Sequence, residues 1–228
     1  MDFDSFVLAA STADLTDAGS AARHADCVEF RMDMAADPLA ALEAYGGPLP
    51  VLATNRAAWE GGAAGEEGRL EDLEAAIDTE WVEAIDVEMA SIHEGDADGL
   101  LETAAARDVA VVASAHDFEG TPSAPDMVAL LERAAAVGDV GKLAVTATDR
   151  SDTMALLSAT HEATSAGHTV ATMAMGEPGS HTRAVAPLYG SRIGYAPLEA
   201  KAATAPGQYD LETLSGLIGA LESEKRDS

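Results

Sequence analysis

The sequence predicts an α/β protein, a single (β/α)8 barrel that spans residues 1–228, and three observations support this prediction. Eight short apolar runs alternate with alanine- and leucine-rich segments of helical spacing, which is typical of a parallel sheet. Polar side chains end almost every run, at the place where barrel active sites form. No GxGxxG motif follows the first run, so a dinucleotide-binding fold lacks its main signature.

The predicted elements alternate along the whole chain. Ser123-Ala124-Pro125-Asp126 is a helix start signal, while Gly138 and Gly167 mark helix ends before the next strand. The predicted strands are 5–10, 27–32, 50–55, 84–89, 109–114, 140–147, 168–174 and 191–195. The most clearly marked helices are 69–77, 98–107, 126–136 and 152–166.

Charge is the strongest compositional signal. Forty acidic residues against thirteen basic ones give a net charge of −27, which argues against nucleic acid and against an anionic membrane surface as partners. The acids are spread along the predicted helices, and only three of the bases are lysine. We interpret this surface as an adaptation to concentrated salt, where screening removes the self-repulsion. An ordinary acidic cytosolic protein is the alternative.

The sequence also predicts a cytoplasmic protein. Cys27 is the only cysteine, so no internal disulfide forms and a reducing compartment is expected. The acidic amino terminus lacks the basic region of a signal peptide. No run of 18 apolar residues exists, so we expect no membrane-spanning segment.

Candidate binding residues appear at the second and third strands. Alternation along the second strand puts Glu29 and Arg31 on one face, which would point into a barrel. The alternative is an edge strand facing solvent. Arg56 follows the third strand beside the Gly61-Gly62 pair and could grip an anion bidentately. Taken alone, this pattern favours a surface arginine at a turn.

Candidate proton carriers follow at the fourth and fifth strands. Asp86 and Glu88 lie on one strand face, which suggests metal binding or acid–base chemistry. For Asp86 we favour the alternative, a carboxylate paired with a neighbouring arginine or lysine. His116 ends the buried fifth strand, where it could carry a proton near neutral pH or simply pack at the start of a loop.

Lys142 is the most informative residue, because this scarce residue type interrupts an apolar strand. A lysine that points into a barrel is desolvated, which favours the neutral, nucleophilic amine. The alternative is a snorkelling or salt-bridged lysine. Arg183 follows a Gly/Pro turn and could bind a carboxylate, unless the turn only leads into a helix. The loop 204–208 is long enough to act as a lid.

These motifs together resemble the type I 3-dehydroquinate dehydratases over almost the whole chain. Each motif is modest alone, but their order and spacing are highly specific. Thr182 and Thr204 stand where the family usually has serine, and both keep the hydroxyl. The matching segments are Glu29-Phe30-Arg31-Met32-Asp33, Thr54-Asn55-Arg56, Glu60-Gly61-Gly62, Asp86-Val87-Glu88, Ser114-Ala115-His116-Asp117-Phe118, Lys142, Met173-Ala174-Met175-Gly176 and Ala205-Pro206-Gly207-Gln208.

The resemblance implies an activity and a set of roles. Lys142 would form an imine with the ketone of 3-dehydroquinate, His116 would carry the proton, and Glu88 would orient the histidine. The resemblance also implies a homodimer that uses no metal and no organic cofactor. Substrate binding would fall to Glu29, Arg31, Arg56, Arg183, Thr204 and Gln208.

Two other functions stay open at this stage. A Schiff-base aldolase is also a barrel with a lysine on its sixth strand, but this class does not account for the loop 204–208 or the position of His116. An acidic barrel that binds a small carboxylate without chemistry is the non-enzymatic alternative. The presence of both Lys142 and His116 argues against it.

The charge of −27 leads to a first testable prediction. At 0.1 M salt the Debye length is about 10 Å, so many carboxylates on one small globule repel one another; molar salt shortens this length to about 3 Å. We expect the midpoint of thermal unfolding to rise strongly between low and molar KCl, as followed by circular dichroism. A flat midpoint would contradict the salt adaptation and leave the predicted chemistry untouched.

Overall fold

The fold is an eight-stranded barrel, as the sequence predicts. The structure is a computed structural model that describes residues 1–198 and 207–226, with side chains up to residue 222. All strand pairs are parallel, in the order β7-β6-β5-β4-β3-β2-β1-β8. The strands are β1 (Val7–Thr12), β2 (Cys27–Arg31), β3 (Val51–Thr54), β4 (Val82–Glu88), β5 (Ala110–Asp117), β6 (Val140–Thr146), β7 (Val170–Met175) and β8 (Ile193–Pro197).

Helices connect these strands around the outside of the sheet. Ser123 caps the sixth helix, and Asp149 forms a reciprocal capping box with Asp152 at the seventh, which fixes where both begin. The helices are α1 (Ala18–Ala21), α2 (Pro38–Ala44), α3 (Arg69–Ile77), α4 (Met89–Glu94), α5 (Asp98–Ala106), α6 (Ala124–Ala135), α7 (Arg150–Ser165), α8 (Thr182–Val185) and α9 (Leu211–Arg226).

Strand alternation sorts side chains between two apolar layers. On β2, Val28 and Phe30 pack outward in the cluster beneath the helices, while Glu29 is buried on the other face. Small residues such as Ala84 and Ala171 belong to a second cluster inside the barrel. This confirms the alternation predicted for the second strand and directs its polar residues toward the barrel interior.

The barrel is not fully closed by backbone pairing. Among the described residues no ladder joins β7 to β8, and one backbone bond crosses the gap between them, from Arg192 N to Val170 O at 2.8 Å. Two amides of β7 donate to side-chain hydroxyls instead: Thr172 N to Ser191 Oγ at 3.0 Å and Ala174 N to Thr182 Oγ1 at 2.9 Å. We call this gap the β7–β8 seam.

The predicted boundaries differ from the structure by up to about three residues. Helix α3 has the predicted bounds, whereas β1 begins and ends two residues later than expected and β5 extends three residues further, to Asp117. The short helices α1, α4 and α8 have too few turns to show an apolar period. Within the described residues, no helix is both long and apolar enough to cross a bilayer.

Gly141 offers a test of how tightly the sixth unit packs. A Cβ placed there would lie 2.7 Å from Ala135 N and 2.8 Å from Leu131 O, so helix α6 rests directly on β6 beside Lys142. We expect Gly141→Ala to lower the free energy of unfolding by about 1–3 kcal/mol, as overpacking does. Urea unfolding in molar KCl measures this.

The matched control is Gly216→Ala on helix α9, where an added Cβ meets nothing within 4 Å. This change should stabilise the protein by about 0.5–1 kcal/mol through helix propensity. Equal effects from the two substitutions would contradict the packing assigned to Gly141.

Candidate active site

A cavity at the carboxyl ends of the strands gathers most of the candidate residues. Its volume is about 100 Å³, below the ~300–1,000 Å³ typical of ligand pockets. A larger cavity of about 750 Å³ opens at the opposite end, beside Met1, Glu83 and Asp108, but contains none of the candidates. The smaller cavity is lined by Ser11, Glu29, Arg31, Arg56, Glu60, Gly61, His116, Phe118, Lys142, Ala144, Met173, Met175, Arg183, Tyr195 and Gln208.

Asp86 is the centre of the charged interior. One carboxylate oxygen accepts a hydrogen bond from Arg56 Nη2 at 2.7 Å and from Ser114 Oγ at 2.6 Å; the other accepts from Lys142 Nζ at 2.7 Å. Burial alone would raise the pKa of Asp86, but the charges of Arg56 and Lys142 outweigh it and lower the pKa. Asp86 is therefore a fixed anion, as the paired alternative predicted.

Lys142 projects from β6 into the cavity and is 4% exposed. Its nitrogen contacts Asp86 and also lies 4.4 Å from the centre of the Tyr195 ring, in cation–π geometry. The lysine is thus both salt-bridged and turned toward the ligand space. The structure therefore combines the inward placement expected in one interpretation with the salt bridge expected in the other.

Tyr195 forms the wall of the cavity beneath Lys142. Burial, reinforced by the negative charges of Asp86 and Glu29, raises the pKa of its hydroxyl well above the usual value. The hydroxyl is buried and has no hydrogen-bond partner among the described residues. Tyr195 therefore stays neutral and offers its ring face to the positive charge of Lys142.

The carboxylate that faces His116 belongs to Glu60, which corrects the expectation for Glu88. Glu60 Oε1 lies 2.8 Å from His116 Nδ1. Gly61 follows with a φ of 79°, a left-handed conformation that suits glycine and turns the chain back after Glu60. An added Cβ at Gly61 would collide with the ring of Phe118, which stacks on His116 at 5.9 Å.

Glu88 is occupied by other partners. It accepts hydrogen bonds from Arg56 at 2.9 Å, from Arg69 at 2.5 Å and from the backbone amide of Ala57 at 3.0 Å. Arg69 also donates to Ser91 Oγ at 2.9 Å. Glu88 thereby anchors the loop that follows β3 and positions Arg56, and it makes no hydrogen bond to His116.

Burial shifts both members of the His116–Glu60 pair toward their neutral forms. Desolvation lowers the pKa of His116 well below 6.5, and repulsion by Arg56 and Lys142 lowers it further. Desolvation raises the pKa of Glu60 from 4.5 to about 7, although Arg56 opposes this rise. The histidine is therefore a neutral base at neutral pH, beside a carboxyl group that titrates in the same range.

The polar residues of β2 have partners at the mouth of the barrel. Glu29 accepts hydrogen bonds from Ser11 and, at 3.2 Å, from Thr54. Arg31 forms a bidentate ion pair with Asp33, with both distances at 2.8 Å. The interior interpretation of this strand is therefore right, and the edge-strand alternative is wrong.

Arg183 differs from the other cations of the cavity. It is 4% exposed, and it has no acidic partner within 4 Å and no acceptor for its Nε among the described residues. Burial lowers its pKa to about 10, so it remains charged at neutral pH. A buried guanidinium without a counterion is a site for an anion. Gln208 lines the same cavity, and Thr204 lies outside the described residues.

Sequence reasoning missed several residues that build the site. Glu60 lies within the matching segment Glu60-Gly61-Gly62, but no role was predicted for it. Its position, directly before two glycines and four residues after Arg56, could have indicated a site residue. Ser114 was also quoted without a role. Ser11 and Tyr195 carried no distinctive signal, since a serine or tyrosine at a strand end is common. Within the described residues, no group of three or more His, Cys, Asp or Glu residues is arranged to hold a metal ion.

The raised pKa of Glu60 predicts a pH-dependent stability. Between about pH 4.5 and 7 the folded protein keeps a proton that the unfolded chain has released, so the free energy of unfolding falls as pH rises through this window. Glu60→Gln removes this loss. We expect the thermal midpoint of the variant, relative to the unmodified protein in the same molar salt, to increase from pH 4.5 to pH 8.

Comparison with the unmodified protein cancels most of the opposite contribution from His116, whose lowered pKa makes stability rise with pH in the acidic range. Glu66→Gln, an exposed change in the same loop, is the control. Parallel midpoints for Glu60→Gln and the unmodified protein at all pH values would show that Glu60 is ionised throughout.

Comparisons with known proteins identify the family of the chain. The profile of the family described as "Type I 3-dehydroquinase" matches residues 6–225. The chain is 56% identical to the 3-dehydroquinate dehydratase of Halobacterium salinarum, covering 97% of this chain and all of that one. It is 52% identical to the enzyme of Haloarcula marismortui, covering 98% and 100%; both organisms are halophilic archaea. The crystal structure of the 3-dehydroquinate dehydratase from Geobacillus kaustophilus matches with a TM-score of 0.85 and 28% identity, covering 96% of this chain and 92% of that one. The chain belongs to the type I 3-dehydroquinase family, as a salt-adapted member.

Proposed function

We propose that this protein converts 3-dehydroquinate to 3-dehydroshikimate through a Schiff base on Lys142, with His116 as the proton carrier. The observation that carries the proposal is the convergence of three groups in one cavity. These are a buried amine, a neutral histidine and a buried arginine that has no counterion among the described residues.

The first step joins the lysine to the substrate. Neutral Lys142 attacks the C3 ketone, and loss of water from the carbinolamine leaves a protonated imine. Asp86 and the Tyr195 ring both contact the lysine nitrogen, so they can stabilise positive charge there before and after this step. The imine draws electrons from C3 and acidifies the adjacent C2–H bond.

The second step is elimination. His116 removes the C2 proton, the electron pair forms the C1–C2 double bond, and the C1 hydroxyl leaves as water with the proton that the histidine returns. Hydrolysis of the imine then releases the product and regenerates the amine. No electrons are exchanged with an outside reagent.

Glu60 sets the tautomer of His116 for this step. When Glu60 is ionised, Nδ1–H of the histidine donates to it and Nε2 keeps the lone pair that a base needs. When Glu60 is protonated, it donates to Nδ1 instead and Nε2 carries the hydrogen. The pKa of about 7 for Glu60 therefore places the switch between these two forms near neutral pH.

Arg183 is the best candidate for binding the substrate carboxylate. Each other cation of the cavity pairs with an acid: Arg31 with Asp33, and both Arg56 and Lys142 with Asp86. We assign the remaining contacts with the substrate, to its hydroxyl groups and to its carboxylate, to five residues: Glu29, Arg31, Arg56, Thr204 and Gln208. We further propose that residues 1–228 act as one catalytic domain in a cytoplasmic homodimer.

Trapping with borohydride tests the mechanism, and turnover tests the activity. The unmodified protein should convert 3-dehydroquinate with a rise in the ultraviolet absorbance of the conjugated enone. Borohydride added with substrate or product should leave a stable adduct on Lys142, located by peptide mass mapping. Lys142→Ala should abolish the adduct, because an unperturbed lysine is only about 0.04% neutral at pH 7 and another amine is a poor substitute.

His116→Ala should still form the adduct while turnover is lost, because imine formation does not use the histidine. An adduct on Lys201, Lys225 or the amino terminus, with Lys142 unmodified in active protein, would overturn the mechanism. Trapping without enone formation would favour an aldolase. If neither an adduct nor turnover is observed, the result would favour a barrel that binds a carboxylate without chemistry.

A further inference from the structure

We propose that Thr182 is the positioning residue for Arg183: its hydroxyl, inserted at the β7–β8 seam, fixes the guanidinium where the substrate carboxylate binds. The inference rests on the proposed function in one respect, the role of Arg183 as the carboxylate partner. It adds a residue that makes no contact with the substrate and acts through the backbone.

The hydroxyl of Thr182 joins the end of β7 to the turn that follows it. It accepts from Ala174 N at 2.9 Å and donates to Gly179 O at 2.7 Å. Thr182 N also donates to Gly179 O, at 3.0 Å. The side chain is completely buried, so water cannot replace either partner. The hydroxyl of Thr182 thus replaces one of the backbone partners that the β7–β8 seam lacks, as the hydroxyl of Ser191 replaces another.

The turn itself presses closely against the strand. A Cβ added at Gly179 would lie 2.7 Å from both Ala174 Cβ and Met175 O, so nothing can be inserted between turn and strand. The position of the first residue of α8 relative to β7 is therefore determined by short contacts and by the two bonds of Thr182. Arg183 is the next residue.

Few other described interactions fix the position of the Arg183 side chain. Helix α8 has four residues, and its preceding residue His181 provides no side-chain cap. No carboxylate contacts the guanidinium among the described residues, and its Nε has no acceptor. The direction of this side chain thus depends on packing and on the backbone that Thr182 anchors. Misplacement of a substrate-positioning group by about 1 Å can weaken its contribution strongly, and a bidentate contact depends on such geometry.

The chain offers a matched control on helix α7. Thr160 is also completely buried, and its hydroxyl also makes two short bonds, to Leu156 O and to Thr172 Oγ1, both 2.7 Å. It lies on the outer side of the sheet, away from the cavity lining. Thr160→Val therefore also removes a buried threonine hydroxyl that bonds near β7, while both hydrogen bonds of the Thr182 hydroxyl stay in place.

The test measures KM and kcat for 3-dehydroquinate, and the inhibition constant of the product, in molar KCl. We expect Thr182→Val to raise KM and the product constant about tenfold, with kcat changed by no more than about twofold. Thr182→Ser, which keeps the hydroxyl, should restore both constants to within about twofold. Thr160→Val should lower the thermal midpoint with KM unchanged. If Thr182→Val does not fold, Thr182→Ala must show the same rise in KM.

Arg183→Lys separates the two proposals. It keeps the charge but loses the planar fork, so it should raise KM if Arg183 binds the carboxylate. An unchanged KM for Arg183→Lys would remove the carboxylate role itself. A raised KM for Arg183→Lys, together with wild-type KM values for folded Thr182→Val and Thr182→Ala, would overturn the role of Thr182 alone. An equal rise in KM for Thr160→Val would do the same.

Discussion

The pairing of Asp86 with both Arg56 and Lys142 is the interaction on which the rest of the site depends. The two cations and the anion of this group lie inside the barrel, where an unpaired charge is costly and where removal of one partner of a buried pair typically costs about 3–5 kcal/mol. Asp86 keeps the amine of Lys142 inside the cavity instead of letting it snorkel to solvent. Arg56 extends the network to Glu88, and Glu88 extends it to Arg69 and so to the start of helix α3.

Within the part of the chain that the structure describes, the cations of the cavity divide into those paired with a carboxylate and Arg183, which has no such partner. Arg31, Arg56 and Lys142 have carboxylate partners, so their charges are already compensated before any ligand arrives. Arg183 is buried and has no such partner among the described residues, so under the proposed function an incoming carboxylate would compensate its charge. In the proposed function, Arg183 would bind the anionic end of the substrate, and the other end would lie toward Lys142 and the His116–Glu60 pair.

The barrel and most residues of the cavity could be predicted from the sequence, because strand alternation and polar residues at strand ends are local patterns. Lys142, His116 and the inward face of β2 follow from such patterns. The acid that faces His116 does not follow from such a pattern. Strand alternation turns Glu88 inward, but it does not reveal that Arg69, nineteen residues earlier, already donates a hydrogen bond to Glu88. Glu60 reaches the histidine through the left-handed turn at Gly61, a backbone conformation that a residue pattern does not specify. The β7–β8 seam could not be predicted from the sequence either, because there side-chain hydroxyls accept the hydrogen bonds of β7 amides in place of backbone carbonyls.

The central claim is that one buried amine, one neutral histidine and one uncompensated arginine act on the same small molecule. A crystal structure of the protein after borohydride reduction with 3-dehydroquinate tests it most directly. The account predicts continuous density from Lys142 Nζ to the ring, the carboxylate in a bidentate contact with Arg183, and His116 over the carbon next to the attachment point with Glu60 behind it. A ring attached to Lys142 whose carboxylate lies away from Arg183, or whose reacting carbon lies beyond reach of His116, would contradict the account.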